Sequence, residues 1–368
     1  MREMDFETAS LTVRLGRITG NYRILRQLAG PSTVAAVVKA DGYGLGAGMV
    51  APALQAAGCD TFFVARLQEG MALRPLMPNA RIFVLDGAPP DAAPALISHN
   101  LTPVLNSLGE IAGWAAAAKA ARRALDAAIH IDTGMNRLGL PAGELAILAG
   151  EWKTRLAGLN LVLLMSHLAC SDEADNKMNP AQLVRFRASL AMLPPAPASL
   201  AASGGVLLGR DYLFDLARVG LALYGGNPRP AKTPPVRAVA FLSARVLQTR
   251  RIDKGESVGY AATFRAKRPT MLATVALGYA DGIMRAAANR GWAAIEGVRV
   301  PYVGRVSMDL LTLDVTDMAQ APQAGDAAEL LGDTISLAEA AENSGTNEYE
   351  ILTGLSPRIP RRYTDDAG

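Results

Sequence analysis

Eight short apolar runs, each followed by a helical stretch, fill the first 220 or so residues, and this alternation leaves few folds open. The first run is Val34–Val38. The others are Thr61–Ala65, Arg81–Asp86, Leu101–Leu105, Ala127–Asp132, Leu159–Ser166, Ala198–Ala202 and Leu216–Leu221. The runs are continuous rather than alternating, as expected of parallel strands covered on both faces. Eight strand–helix units in this length predict a (β/α)8 barrel. Ahead of the first strand, Leu11, Leu15, Ile18, Tyr22, Leu25 and Leu28 recur every three or four residues. That spacing predicts an amphipathic helix stopped by Gly30-Pro31.

The pattern changes at Gly225-Gly226-Asn227-Pro228-Arg229-Pro230, a Gly/Pro segment that continues to Pro235 and reads as a linker. Beyond it, short strands are expected at Val239–Thr249, Glu256–Phe264, Thr270–Leu277, Trp292–Ile295, Val298–Val303 and Leu310–Val315. The expected architecture is therefore α/β: an N-terminal (β/α)8 barrel over 10–230 plus a mainly β C-terminal domain over 236–368. An N-terminal strand, 1–9, is expected to join that second domain.

Half the 368 residues are apolar and 19% are charged, which suits a soluble globular protein with a large core. A net charge of +3 with no basic block argues against nucleic-acid binding. No apolar run nears the ~18 residues needed to span a bilayer, so no membrane partner is expected. Met1–Ser10 is polar and acidic, unlike a signal peptide. Cys59 and Cys170 form neither a disulfide framework nor a metal spacing, and a reducing cytoplasm is the expected compartment. His99, His130 and His167 lack any HExxH-type spacing, so no catalytic metal is expected.

In such a barrel, function gathers where strands end. Lys39 ends the first run, at the edge of a core where an ammonium loses proton affinity and an amine can condense with an aldehyde. Tyr43 follows between two glycines, within reach of a phosphate. Gly42, Gly44, Gly46 and Gly48 do not make the G-x-G-x-x-G spacing of a dinucleotide loop. Arg137 follows the fifth strand in Asp132–Gly139, and His167 ends the sixth. Ser203, after the seventh, and the backbone N–H groups of Gly220 and Leu221, after Arg218 on the eighth, suit a phosphate. Each has an ordinary structural reading alone; their convergence on one rim favours a site.

The segments Val37–Gly44, Asp132–Gly139, Ser166–Ala169, Arg218–Gly225, Gly278–Gly282, Gly304–Asp309 and Tyr349–Thr353 occur in this order across both domains. In these segments the chain resembles the alanine racemases, pyridoxal 5′-phosphate (PLP) enzymes of fold type III, from about residue 8 to Tyr363. The resemblance implies that Lys39 holds the cofactor covalently and serves as one base. It implies that Tyr43, Ser203, Gly220, Leu221 and Tyr349 bind the phosphate and that Arg218 faces the pyridine nitrogen. Arg137 matches a residue near the cofactor's phenolic oxygen and the substrate carboxylate, which the backbone N–H of Met308 also meets. Tyr260 matches the second base and His167 its hydrogen-bond partner. Tyr279, Arg285, Arg305 and Asp172 match the substrate entryway. The resemblance also implies a homodimer in which Tyr260, Tyr279 and Met308 act in the partner's site.

Racemisation removes a Cα proton from one face and returns one to the other, so two opposed bases are the simplest solution. A free phenol is ionised only about one part in a thousand at pH 7, so a phenolic base needs nearby positive charge. Arg218, acting through His167, is the expected source. As a guanidinium it only donates, so the pyridine nitrogen should accept its hydrogen bond and stay unprotonated. One departure stands out. Many members carry a carbamylated lysine two residues before Asp-Thr-Gly, where this chain has His130. Arg137 is then expected to be held otherwise, with no dependence on bicarbonate. Ala202, Ala261 and Ser307 replace a common Asn, Gly and Cys. Within this reading the substrate is alanine; a broader racemase acting on serine, lysine or arginine, and a non-catalytic PLP-binding protein, are the competing readings.

Overall fold

The computed structural model describes residues 7–229 and 235–366. The expected strand over 1–9 and the expected linker to Pro235 therefore fall partly outside the described residues.

Strand β1 (Ala9–Arg14) lies between two strands of the C-terminal sheet before helix α1 (Leu15–Ala29) enters the barrel layer. The helix expected from Leu11 thus begins only at Leu15. Leu11 and Val13 are buried while Thr12 and Arg14 are not, a period of two set by pairing on both sides of β1. Leu11, Val13 and Leu15 lie two residues apart while Leu11, Leu15 and Ile18 lie four and three apart, so both periods are met and long-range pairing decides between them. Gly30 ends α1 as expected, with φ +62°.

The barrel strands are β2 (Thr33–Val37), β3 (Thr61–Val64), β4 (Arg81–Val84), β5 (Thr102–Leu105), β6 (Leu125–His130), β7 (Leu159–Met165), β8 (Ala198–Ser199) and β9 (Leu216–Val219). All pair in parallel in the order β8-β7-β6-β5-β4-β3-β2-β9. A parallel bridge between Ala202 and Arg218 closes the ring. All eight expected runs are strands. Their interior is packed, with Phe63 and Phe83 stacked at 4.8 Å. Each such fully buried side chain contributes about 1.5–3 kcal/mol, so the rim rests on a rigid core.

The second domain comprises β10 (Ala240–Ile252), β11 (Ser257–Val258), β12 (Phe264–Arg265), β13 (Thr270–Val275), β14 (Trp292–Ile295), β15 (Val298–Pro301), β16 (Leu311–Asp314), β17 (Ala327–Leu331) and β18 (Arg361–Thr364). Its main path runs β15-β14-β17-β10-β1-β18. The continuous strand expected over Glu256–Phe264 is instead β11, a 3-10 turn at Tyr260–Ala262, and β12. Left-handed backbone at Gly259 (φ +71°), Ala261 (+60°) and Ala262 (+48°) breaks the ladder. Strands β17 and β18 and the helices Leu337–Ser344 and Glu348–Gly354 were not expected from sequence. Among the described residues, no helix is long and apolar enough to cross a membrane.

Candidate active site

A cavity of about 540 Å³ opens at the C-terminal mouth of the barrel, a size that suits a cofactor or small ligand. Lys39, Tyr43, Arg137, His167, Ser203, Arg218, Gly220, Leu221 and Tyr349 all line it. The elements that bring them there are the ends of β2, β6, β7, β8 and β9 and the helix Glu348–Gly354.

Lys39 follows β2 directly. Burial, then the Arg137 guanidinium, lower its pKa from the ordinary lysine value, while Glu69 and Asp86 oppose this. A lysine so placed yields its amine more readily. Behind it the backbone enters the left-handed region at Ala40 (φ +53°), Asp41 (+54°), Gly42 (+62°) and Tyr43 (+57°). Three of these four carry a Cβ, at a cost of about 1–2 kcal/mol each. Tyr43 ends this turn buried, stacked on Tyr224 at 4.6 Å with Tyr349 at 6.0 Å. A Cβ at Gly220 would collide with the Tyr43 hydroxyl, so the β9 backbone reaches the phenol only because residue 220 is glycine.

Positive charge collects on the cavity floor. Arg218 is 3% exposed and has no carboxylate partner among the described residues. Its Nη1 donates to the Ser199 carbonyl (3.0 Å) and hydroxyl, and its Nη2 to the Ser166 carbonyl (2.6 Å) and to Nδ1 of His167 (3.3 Å). Burial pulls its pKa down to about 10, which leaves it charged at neutral pH. Because a guanidinium only donates, Nδ1 of His167 must accept, and the ring proton sits on Nε2. Burial and the Arg218 charge hold His167 well below the usual histidine pKa, so it is neutral. The Nε–H of Arg218 has no acceptor among the described residues.

His130 is also neutral: burial, then Arg218, lower its pKa to about 4. Asn106 gives its amide protons to the Leu85 (3.2 Å) and Val104 (2.8 Å) carbonyls, so its Oδ1 must accept from Nδ1 of His130 at 2.9 Å. Above pH 6.5 the residue is neutral folded or unfolded and has no effect. As pH falls from 6.5 towards 4 only the unfolded chain gains the proton, and stability is lost, at full extent roughly 3 kcal/mol. Urea unfolding of the ligand-free protein between pH 7 and 4.5 should therefore lose about one proton of slope in His130→Gln. An unchanged slope would show that His130 keeps its ordinary pKa.

The end of the cavity at Ser203 is made of donors. Ser203 Oγ accepts from the Gly220 (2.9 Å) and Ala222 (3.3 Å) N–H groups, which leaves its own proton to give. Tyr43, Tyr349, Gly204 and Leu221 line the cavity with it. The amine at one end, the donor cluster at the other and the buried guanidinium between them fit a phosphorylated aromatic aldehyde.

The Arg137 loop is stiff. Asp132 Oδ1 accepts from the N–H groups of Gly134, Met135 and Asn136 at 2.9–3.1 Å. Fully buried Gln182 ties this loop to the next one, donating to Thr133 Oγ1 (3.1 Å) and the His167 carbonyl (2.9 Å) and accepting from Ala169 N (2.8 Å). Arg137 itself is exposed and makes no side-chain hydrogen bond or ion pair with the described residues. Asp172 lines a groove beside the cavity, together with Tyr349 and His167.

The remaining expected residues lie apart. Tyr260, Tyr279, Arg285, Arg305 and Met308 belong to the β-rich domain and do not line the cavity of their own chain. Tyr260 is 69% exposed, Met308 53% and Tyr279 44%. Backbone bonds from Tyr279 N to Ser307 O and from Ala280 N to Met308 O, each 3.0 Å, join two of their loops. Sequence reasoning missed Asp86, Asn106, Tyr224 and Glu69. Asp86 lines the cavity and ends the third expected run, so the strand-end rule would have found it. Among the described residues no cluster of three or more His, Cys, Asp or Glu is placed to hold a metal.

Models of the alanine racemase N-terminal domain and C-terminal domain match residues 13–228 and 239–363. The chain is 47% identical to the catabolic alanine racemase of Mesorhizobium japonicum, over 96% of this chain and 93% of that one. It is 47% identical to the alanine racemase of Rhodospirillum rubrum over 99% and 98%. The crystal structure of alanine racemase from Bartonella henselae with covalently bound pyridoxal phosphate superposes with a TM-score of 0.94 at 40% identity, covering 97% of this chain and 99% of that one.

Proposed function

This chain belongs to the alanine racemase family, and we propose that it interconverts L- and D-alanine with PLP held by Lys39. The observation that carries the reading is the cavity itself, with an amine of lowered pKa at one end and a cluster of hydrogen-bond donors at the other. PLP, when bound there, supplies the electron sink that makes the substrate Cα–H acidic. The chain supplies anchoring, orientation and proton movement.

Tyr43, Ser203, Leu221 and Tyr349 would hold the phosphate, while Gly220, expected among them, already gives its N–H to Ser203 Oγ, and the Arg218 Nε–H would be the donor toward the ring nitrogen. A guanidinium keeps its proton and only donates, so Arg218 would leave that nitrogen unprotonated, which would restrain side reactions. Arg137, with no partner of its own, is free to take the substrate carboxylate. Lys39 would move the proton on the face that yields D-alanine. The opposite face is open in a single chain. Tyr260 of the partner subunit closes it, with the Nε2–H of His167 and the Arg218 charge behind it stabilising a phenolate. The exposed Tyr260, Tyr279 and Met308 support this homodimeric arrangement, since each chain presents them outward.

The test is incubation of PLP-loaded protein with single L-amino acids. Turnover of alanine well above that of serine, lysine and arginine supports the reading. Comparable rates on all four would instead make the protein a broad racemase, and no turnover at all would overturn the reading.

A further inference from the structure

We propose that Glu69 is a positioning residue that locks the turn between Lys39 and Tyr43 and so fixes the spacing of the cavity's amine and phosphate ends. The inference rests on the functional reading above. Ala40, Asp41 and Gly42 have φ/ψ near +53°/+47°, +54°/+49° and +62°/+43°, and Tyr43 continues with φ +57°. This is a turn of left-handed helix in which only one of four residues is glycine. Crowding between Cβ and the next carbonyl disfavours it, so it persists only where neighbours over-determine it.

Two carboxylates supply that restraint. Asp41 Oδ1 accepts from Ala47 N at 2.8 Å, inside the segment. Glu69 acts from outside. Its Oε2 accepts from Ala65 N (2.8 Å) and Arg66 N (3.0 Å), the ordinary reach-back of a capping box at the start of its own helix. Its Oε1 reaches across to Ala40 N at 2.7 Å, the first left-handed residue and the one next to Lys39. β2 and β3 are neighbours in the barrel, so one carboxylate bolts the loop after β2 to the loop after β3. The three donors need two acceptor oxygens. Glutamine offers one oxygen and an amide that would face the Ala40 N–H donor to donor.

Titration of ligand-free protein with PLP and, separately, with pyridoxal tests this, followed by the visible absorbance of the lysine-bound form. Pyridoxal has the aldehyde but no phosphate, so it does not depend on the Lys39–Tyr43 spacing. Glu69→Gln should weaken PLP binding about tenfold or more, the worth of one charge-assisted hydrogen bond, and pyridoxal binding much less. Adding Ala40→Gly, which relieves the left-handed crowding, should restore part of the lost PLP preference. Equal weakening of both ligands, or lower urea stability with both affinities unchanged, would overturn the proposal, leaving Glu69 a helix cap only. Wild-type protein that forms no lysine-bound absorbance would instead overturn the functional reading, and this inference with it.

Discussion

Lys39→Ala should bind PLP without the visible absorbance of a lysine-bound cofactor, and alanine turnover should fall by about four orders of magnitude or more. One side chain carries two roles here. In the proposed mechanism it anchors the cofactor and moves the proton on one face of the substrate. Loss of a positioned acid–base group alone typically costs 10²–10⁴-fold; loss of the covalent anchor adds to that. The structure gives the lysine no substitute: burial and the Arg137 charge already favour its neutral form, and no second lysine lines the cavity. Because the phosphate donors remain, the variant should still bind PLP, measurable by fluorescence quenching or equilibrium dialysis. Near-normal turnover in Lys39→Ala would remove the basis of the mechanism.

Tyr260→Phe should lower racemisation in both directions by about 10²–10⁴-fold, since each direction needs a proton taken from one face and one given to the other. The variant keeps the ring and loses only the hydroxyl. Its signature is isotopic. In D₂O, D-alanine should still exchange its Cα hydrogen through Lys39 without inverting, while L-alanine should exchange far more slowly. Equal exchange of both enantiomers would mean that some other group serves the second face.

Much of this site can be read in the sequence because barrel physics places it there. Strands covered on both faces must be continuously apolar, so their ends at Lys39, Asp132, His167 and Arg218 can be located by counting. The periodic signal failed where long-range pairing decides conformation. Leu11 and Val13 fit a helix as well as a strand until β10 and β18 flank them. Tyr260 carries no pattern signal: it sits on a strained turn between two-residue strands, exposed in its own chain. The family resemblance alone singled it out. Glu69 does have a sequence signature, an acid three residues after a helix start, but its reach to Ala40 depends on a left-handed turn that propensity disfavours. His130 was legible as a departure, and the structure adds that Asn106 fixes its tautomer and burial keeps it neutral.

The proposed site is shared between two copies of the chain, and mixing two inactive variants tests that sharing most directly. Lys39→Ala and Tyr260→Phe proteins, unfolded together in equal amounts and refolded with PLP, form hybrid dimers in half of all cases. If Tyr260 serves the partner's cavity, each hybrid has one intact site, and turnover should return to about a quarter of wild type. If Tyr260 serves the cavity of its own chain, every site in the hybrid lacks one base, and the mixture would stay as inactive as either variant alone.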